Sequence, residues 1–303
     1  WGGLATSTDG GLTFTVSAAG LGSPYVFDVY AVGSTVYAAT GGGVSISPDG
    51  GVTWTNYTTG VGSGIVRGVY AVGSTVYAAT EGGLSISTNG GVSFDNMTIA
   101  QGLGSNVVRG VYAVGSTVYA ATQGGLSIST NGGDSFTNQT TAQGLGSNVV
   151  RDVYAVGSTV YAATGGGVSI STNGGDSFTN YTAGLPHGAG PTAVSSVYVV
   201  GGDVYAGTGS GLGISTDRGE PFISRTTDNG LGNNHVNDVF VVGNAVYLAT
   251  QDGISISSSC GTISSDSSDS GGSGGGTDPG IFLNVAGPVG ESAPETPIYY
   301  GGS

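Results

Sequence analysis

The chain has 303 residues, of which 62 are glycine, five are arginine, none is lysine and 19 are acidic, for a formal net charge of −14. Nucleic-acid phosphates and anionic membrane surfaces would be repelled by this balance, and no run approaches the ~20 apolar residues of a membrane-spanning helix. One cysteine, Cys260, excludes an internal disulfide, and two histidines, His187 and His235, cannot build a histidine-rich metal site, so neither a metal nor another cofactor is expected.

Read in chain order, the sequence opens inside a repeating unit. Trp1-Gly-Gly-Leu-Ala-Thr-Ser7 matches Glu81-Gly-Gly-Leu-Ser-Ile-Ser87, and predicts the third and fourth strands (C and D) of a unit whose first two are missing. Six copies of a hairpin-like unit then begin at Val26, Val66, Val108, Val150, Val194 and Val236, the last followed only by a C-like run. The segment Val66–Thr80 returns unchanged as Val108–Thr122, and as Val150–Thr164 with Asp152 replacing glycine. Within each copy the alternation of Val69-Tyr70-Ala71-Val72 and Val76-Tyr77-Ala78-Ala79 has the period of a strand, and a Gly-Ser pair between the runs suits a two-residue hairpin joining strands A and B. Leu84-Ser-Ile-Ser87 and the run from Ser93-Phe94 give strands C and D. Four short strands cannot bury both faces alone, so the copies must pack on one another, and radial packing into a ring satisfies that need.

The turns between strands C and D, such as Ser7-Thr-Asp-Gly-Gly-Leu-Thr-Phe14 and Ser47-Pro-Asp-Gly-Gly-Val-Thr-Trp54, resemble the Asp-box, the bacterial-neuraminidase repeat Ser-x-Asp-x-Gly-x-x-aromatic. Asp9, Asp49, Asn89, Asn131, Asn173 and Asp217 occupy its acidic position. The linkers Gly-Leu-Gly-Ser-Asn-Val-Val-Arg are similar to those of propellers found beside bacterial two-component sensors. These resemblances imply an all-β, six-bladed β-propeller of four-stranded blades over residues 1–262, closed by strands from both chain ends. Because a C-like run, Gly253–Ser257, recurs at the end, seven blades are the alternative. In the box the Asp or Asn caps a tight turn and the aromatic ring anchors strand D, which is a folding role.

Residues 263–303 form a Ser/Gly/Asp-rich linker and a strand-bearing tail, with Ile281, Phe282, Leu283 and Val285 in one apolar run and Ile298 and Tyr299 in another. A six-bladed ring has no place for either run. They fold back on their own propeller or add to the edge of a neighbouring molecule, giving head-to-tail self-assembly.

For chemistry, Arg67, Arg109 and Arg151 stand at the start of strand A in consecutive blades, at the channel mouth. They are similar to the arginine cluster with which sialidases grip a carboxylate, but the Arg-Ile-Pro signature is missing. Asp28, Asp152 and Asp238 are expected to pair with such arginines. Glu81 and Gln123 vary at one slot of the neighbouring B–C loop and are further ligand candidates. No nucleophile elbow, phosphate loop or paired-carboxylate constellation occurs. Asn56, Asn96, Asn138 and Asn180 head N-glycosylation sequons on strand D. The composition fits an extracellular or cell-surface location. The sequence thus points to a non-enzymatic scaffold or interaction protein whose partner is a second copy or another surface protein, with a glycan-binding or vestigial sialidase-like propeller as the alternative.

Overall fold

A computed structural model describes residues 3–243, 245–257 and 298–301, the last four by their backbone alone. Strands β1 (Leu4–Ser7) and β2 (Thr15–Ser17) precede the first blade, β3 (Val26–Val32), β4 (Thr35–Thr40), β5 (Gly43–Ser47) and β6 (Thr55–Tyr57). The second blade is β7 (Val66–Val72), β8 (Thr75–Thr80), β9 (Gly83–Ser87) and β10 (Asp95–Met97). The third is β11 (Val108–Val114), β12 (Thr117–Thr122), β13 (Gly125–Ser129) and β14 (Thr137–Gln139), and the fourth β15 (Val150–Val156), β16 (Thr159–Thr164), β17 (Gly167–Ser171) and β18 (Thr179–Tyr181). The fifth comprises β19 (Val194–Val200), β20 (Asp203–Thr208), β21 (Gly211–Ser215) and β22 (Ile223–Arg225), and the sixth β23 (Val236–Val242), β24 (Ala245–Thr250) and β25 (Gly253–Ser257). A final strand, β26, spans Ile298–Gly301. All pairings are antiparallel, and the only helices among the described residues are three 3₁₀ turns.

Six blades carry the inner A–B hairpin, as the six copies predict, and the chain is a six-bladed β-propeller with a partial sheet at its seam. That seam differs from the expected one. The N-terminal strands do not complete the sixth blade, because the C-like strand β25 already pairs with β24; β1 pairs instead with β2 and β26 in a separate three-stranded sheet. The tail strand therefore has a place in the ring, contrary to the sequence expectation. Its register, Ser7↔Ile298 and Thr6↔Tyr299, reproduces the strand C to strand B register Ser87↔Val76 and Ile86↔Tyr77 of the second blade. The domain boundary at 262/263, Cys260, Ile281, Phe282, Leu283 and Val285 lie outside the described residues.

The core lies between blades. Tyr119 and Ile128 of the third blade pack with Val150, Val153, Val160 and Phe178 of the fourth, and the same set recurs at the other full interfaces. This is the reason for alternation in the strands: one face of each sheet meets the preceding blade and the other the following one.

The C–D turns are held as the capping reading requires. In the first blade the Ser47 hydroxyl donates to Asp49 Oδ1 at 2.7 Å and accepts the Gly51 amide at 2.8 Å, while Asp49 accepts the Thr53 amide and hydroxyl. Hydrogen bonds from Thr53, side chain first and then backbone, hold the exposed Asp49 carboxyl down at about 2. Where asparagine replaces aspartate, serine replaces threonine: Asn89 Nδ2 donates to Ser93 Oγ at 2.9 Å. Gly91 sits at φ +91, a left-handed conformation that favours glycine, with the terminal methyl of Ile46 from the preceding blade packed over it. The sixth such turn departs from this, since Pro221 occupies the position whose amide the Asp217 side chain would otherwise cap.

Candidate functional site at the channel mouth

Each A–B ladder breaks register after its first residue, so that Arg67, Arg109 and Arg151 are the extra residues of β-bulges, as are Phe27, Ser195 and Asn237 in the other blades. A bulge re-aims the side chain it carries. Here it turns the three arginines into a cavity of about 550 Å³ that also presents Asp28, Asp152, Asp238 and Gln251. Sequence reasoning located the arginines at the channel mouth but missed the bulges; the one-residue offset between the Val-x-x-Val spacing and strict alternation was their available signal.

The structure brings the arginines together and treats them differently. Arg67 Nε donates to Glu81 Oε1 at 3.1 Å, with a second bond from the same guanidinium, and its plane lies 4.5 Å from the Phe27 ring centroid. Arg109 has no such partner: its Nε is enclosed and unbonded, and Gln123, which holds the Glu81 position on the third blade, is exposed. Glycine 165 takes that position beside Arg151, so that arginine too has no acidic neighbour from this loop. Desolvation, then the like charges of Arg151 and Arg67, lower the pKa of Arg109, while Glu81 opposes them.

The expected pairing of the aspartates with these arginines is not what forms. Asp28 accepts the Val29 amide at 2.7 Å and reaches into the next blade to accept Val69 N–H at 2.9 Å; Asp152 does the same with Val153 and Val197. The amides just past each bulge lack a ladder partner, and a carboxylate from the preceding strand satisfies two of them. Asp238 likewise accepts the amide of its own neighbour, Val239, and has no second amide donor among the described residues. Burial raises the Asp152 carboxyl to about 7, against the two amide bonds and with help from the charge of Asp28. Burial and the charges of Asp152 and Asp28 also push Asp238 well up.

On the same strands, Tyr30, Tyr70, Tyr112, Tyr154, Tyr198 and Phe240 form a continuous series of tilted rings, with successive centroids 4.5 to 5.1 Å apart. Burial first, and then the charge and hydroxyl of Tyr112, pushes the Tyr154 hydroxyl up to about 12, so this ring carries a neutral hydrogen-bonding group at ordinary pH.

The four sequon asparagines are placed away from this cavity and facing inward. Asn138 Nδ2 donates to the Gly124 carbonyl at 2.8 Å, and its Oδ1 accepts from Ser127 Oγ, which in turn accepts the Gly104 amide. Asn56, Asn96 and Asn180 repeat the arrangement. The nitrogen that would carry a sugar is thus engaged within the blade in each copy.

No protein-family model matches this sequence, and no curated protein matches it. Solved structures do. The extracellular domain of a putative hybrid two component system from B. thetaiotaomicron superposes with a TM-score of 0.65 at 18% identity, over 83% of this chain and 35% of that one. An ancestral GH74 enzyme gives 0.60 at 21% identity, over 82% and 36%. YCF48 from Cyanidioschyzon merolae gives 0.55 at 16% identity, over 74% and 79%. The likeness is one of fold. The chain spans about a third of the length of the first two. No described helix is long and apolar enough to cross a membrane.

Proposed function

We propose that this chain is a non-enzymatic extracellular interaction propeller that takes the anionic group of an acidic saccharide at its channel mouth. The observation that carries the reading is the pair Arg109 and Arg151, turned by bulges into one cavity and with no ion pair to either among the described residues. Guanidinium groups match carboxylate and sulfate oxygens bidentately, and desolvation at the mouth strengthens such bonds. Arg67, pinned by Glu81 and Phe27, shapes the wall. The series of tilted tyrosines supplies hydroxyls and ring faces of the kind that line sugar sites. Extracellular placement is supported by the lysine-free, acidic composition and by neighbours that are themselves extracellular domains.

Calorimetric titration with uronate- and sulfate-bearing oligosaccharides tests this. Saturable binding that is lost in R109A/R151A and absent for the matching neutral sugars is expected, with no hydrolysis of the ligand. Failure of every acidic sugar to bind, or unaltered binding in the double variant, would overturn it. Head-to-tail assembly through the tail is the weaker reading, because β26 pairs with β1 of its own chain.

A further inference from the structure

Strand A meets the channel with its free edge, and the amide of its fourth residue points there. In the third blade Val114 and Thr117 close a two-residue turn, so hydrogen-bonded pairs alternate back along the ladder, and Val111, opposite Ala120, falls in a pair whose amides face away from each other. Such an amide is met by a carboxylate at the third residue of its own strand A or of the preceding blade's. Val29, Val153 and Val239 are met from their own strands, by Asp28, Asp152 and Asp238. Val69 and Val197 are met from the preceding blade, by Asp28 and Asp152, each at 2.9 Å. Val111 differs from all five, because both of its third-residue positions, Gly68 and Gly110, are glycine.

Neither glycine answers a backbone need, since both lie in strands and outside the positive-φ residues. A Cβ on Gly68 would have the Arg109 carbonyl oxygen at 3.1 Å as its nearest neighbour, a tight fit but not a blocked one, whereas a Cβ on Gly110 would also stand 3.4 Å from Asp152 Oδ1. The seat beside Gly68 is thus the more open of the two. Gly68, Arg109, Gly110, Val111 and Arg151 line one cavity. A second observation bears on charge: desolvation first, and then the like charges of Arg151 and Arg67, lower the pKa of Arg109, so an anion seated here relieves repulsion among the three guanidiniums.

We propose that the carboxylate of a uronate ligand takes the seat beside Gly68, accepting the Val111 amide as Asp28 accepts that of Val69, with Arg109 as its counter-ion. The assignment rests on the saccharide reading above and narrows its anionic group to a carboxylate. A planar carboxylate reproduces the group that the fold itself seats at Asp28 and Asp152, and its bond from a backbone amide is charge-assisted. A sulfate ester is tetrahedral and brings a third oxygen that this seat does not match.

The full chain, isotope-labelled at valine nitrogen and titrated with a glucuronate trisaccharide, tests the seat through its amide resonances. The Val111 amide proton is expected to move downfield on saturation. G68D, which puts the carboxylate of the seat on the protein itself, should weaken binding at least about 10-fold. G64D adds the same charge at a loop position with open space around it and should leave the affinity unaltered. A Val111 resonance that stays still while the trisaccharide binds overturns the seat, even where G68D does not fold. Undiminished binding by folded G68D, or tighter binding of the sulfated counterpart, overturns it too, and in each of these cases the binding itself keeps the saccharide reading standing. Failure of every acidic sugar to bind removes that reading and the seat with it.

Discussion

Replacing Asn138 by alanine separates a structural side chain from a surface sequon. The substitution removes a 2.8 Å bond to the Gly124 carbonyl and the 2.9 Å acceptor of the Ser127 hydroxyl. Each such bond contributes about 1 kcal/mol net, and a buried group left unpaired adds a penalty of about 1–3 kcal/mol. Ser127 is fully buried while Asn138 is half-buried, so water can reach the carbonyl but not the hydroxyl, and a loss of about 2–3 kcal/mol follows. The unused space would not be refilled by the backbone, because Gly104, whose Cβ would stand 2.3 Å from Asn138 Oδ1, is held by its own amide bond to Ser127. Urea denaturation should show the midpoint falling with the m-value unchanged. Asn96→Ala in a separate blade should cost the same, and the double variant their sum. A change below about 0.5 kcal/mol, the ordinary range for an exposed position, or a glycan found on Asn138 of folded protein, would refute the reasoning.

Two further outcomes are expected. Phe136→Ala empties the ring that joins Tyr77, Ile86 and Leu103 of the second-to-third interface, and should cost about 3–5 kcal/mol by the same denaturation measurement. Asp152 holds its proton up to about 7 in the folded protein against 3.8 ordinarily, so this group's contribution to stability falls as pH rises between those values and is recovered on acidification. Melting curves at pH 4.5 and 7.5 should therefore differ less in D152N than in the unaltered chain; an identical difference in both would show that Asp152 does not titrate there.

The sequence by itself determined the repeat, and with it the architecture. Near-identical copies such as Val66–Thr80 and Val108–Thr122 impose the same strands at the same spacing, and units unable to bury two faces alone must stack. The box turns were equally legible, since Ser7, Asp9 and Thr13 meet within a span of seven residues. What lay beyond reach were contacts made across blades. Asp28 and Asp152 stand next to arginine-bearing positions in the unit, so pairing was the natural reading, yet their second partners are amides 41 and 45 residues away. Those amides are free because of bulges, which are a property of two paired strands rather than of either one. The role of the strand D asparagines was hidden for a related reason: Asn-x-Thr states a local pattern, while the Gly124 carbonyl that takes the Asn138 nitrogen comes from the turn between β12 and β13. Ring closure shows the same division. Two C-like runs at opposite ends of the chain, Leu4–Ser7 and Gly253–Ser257, are interchangeable as sequence, and only the packed ring decided that the nearer one takes the place beside β24, because a short connection from Thr250 to Gly253 closes at less entropic cost than one spanning the whole chain.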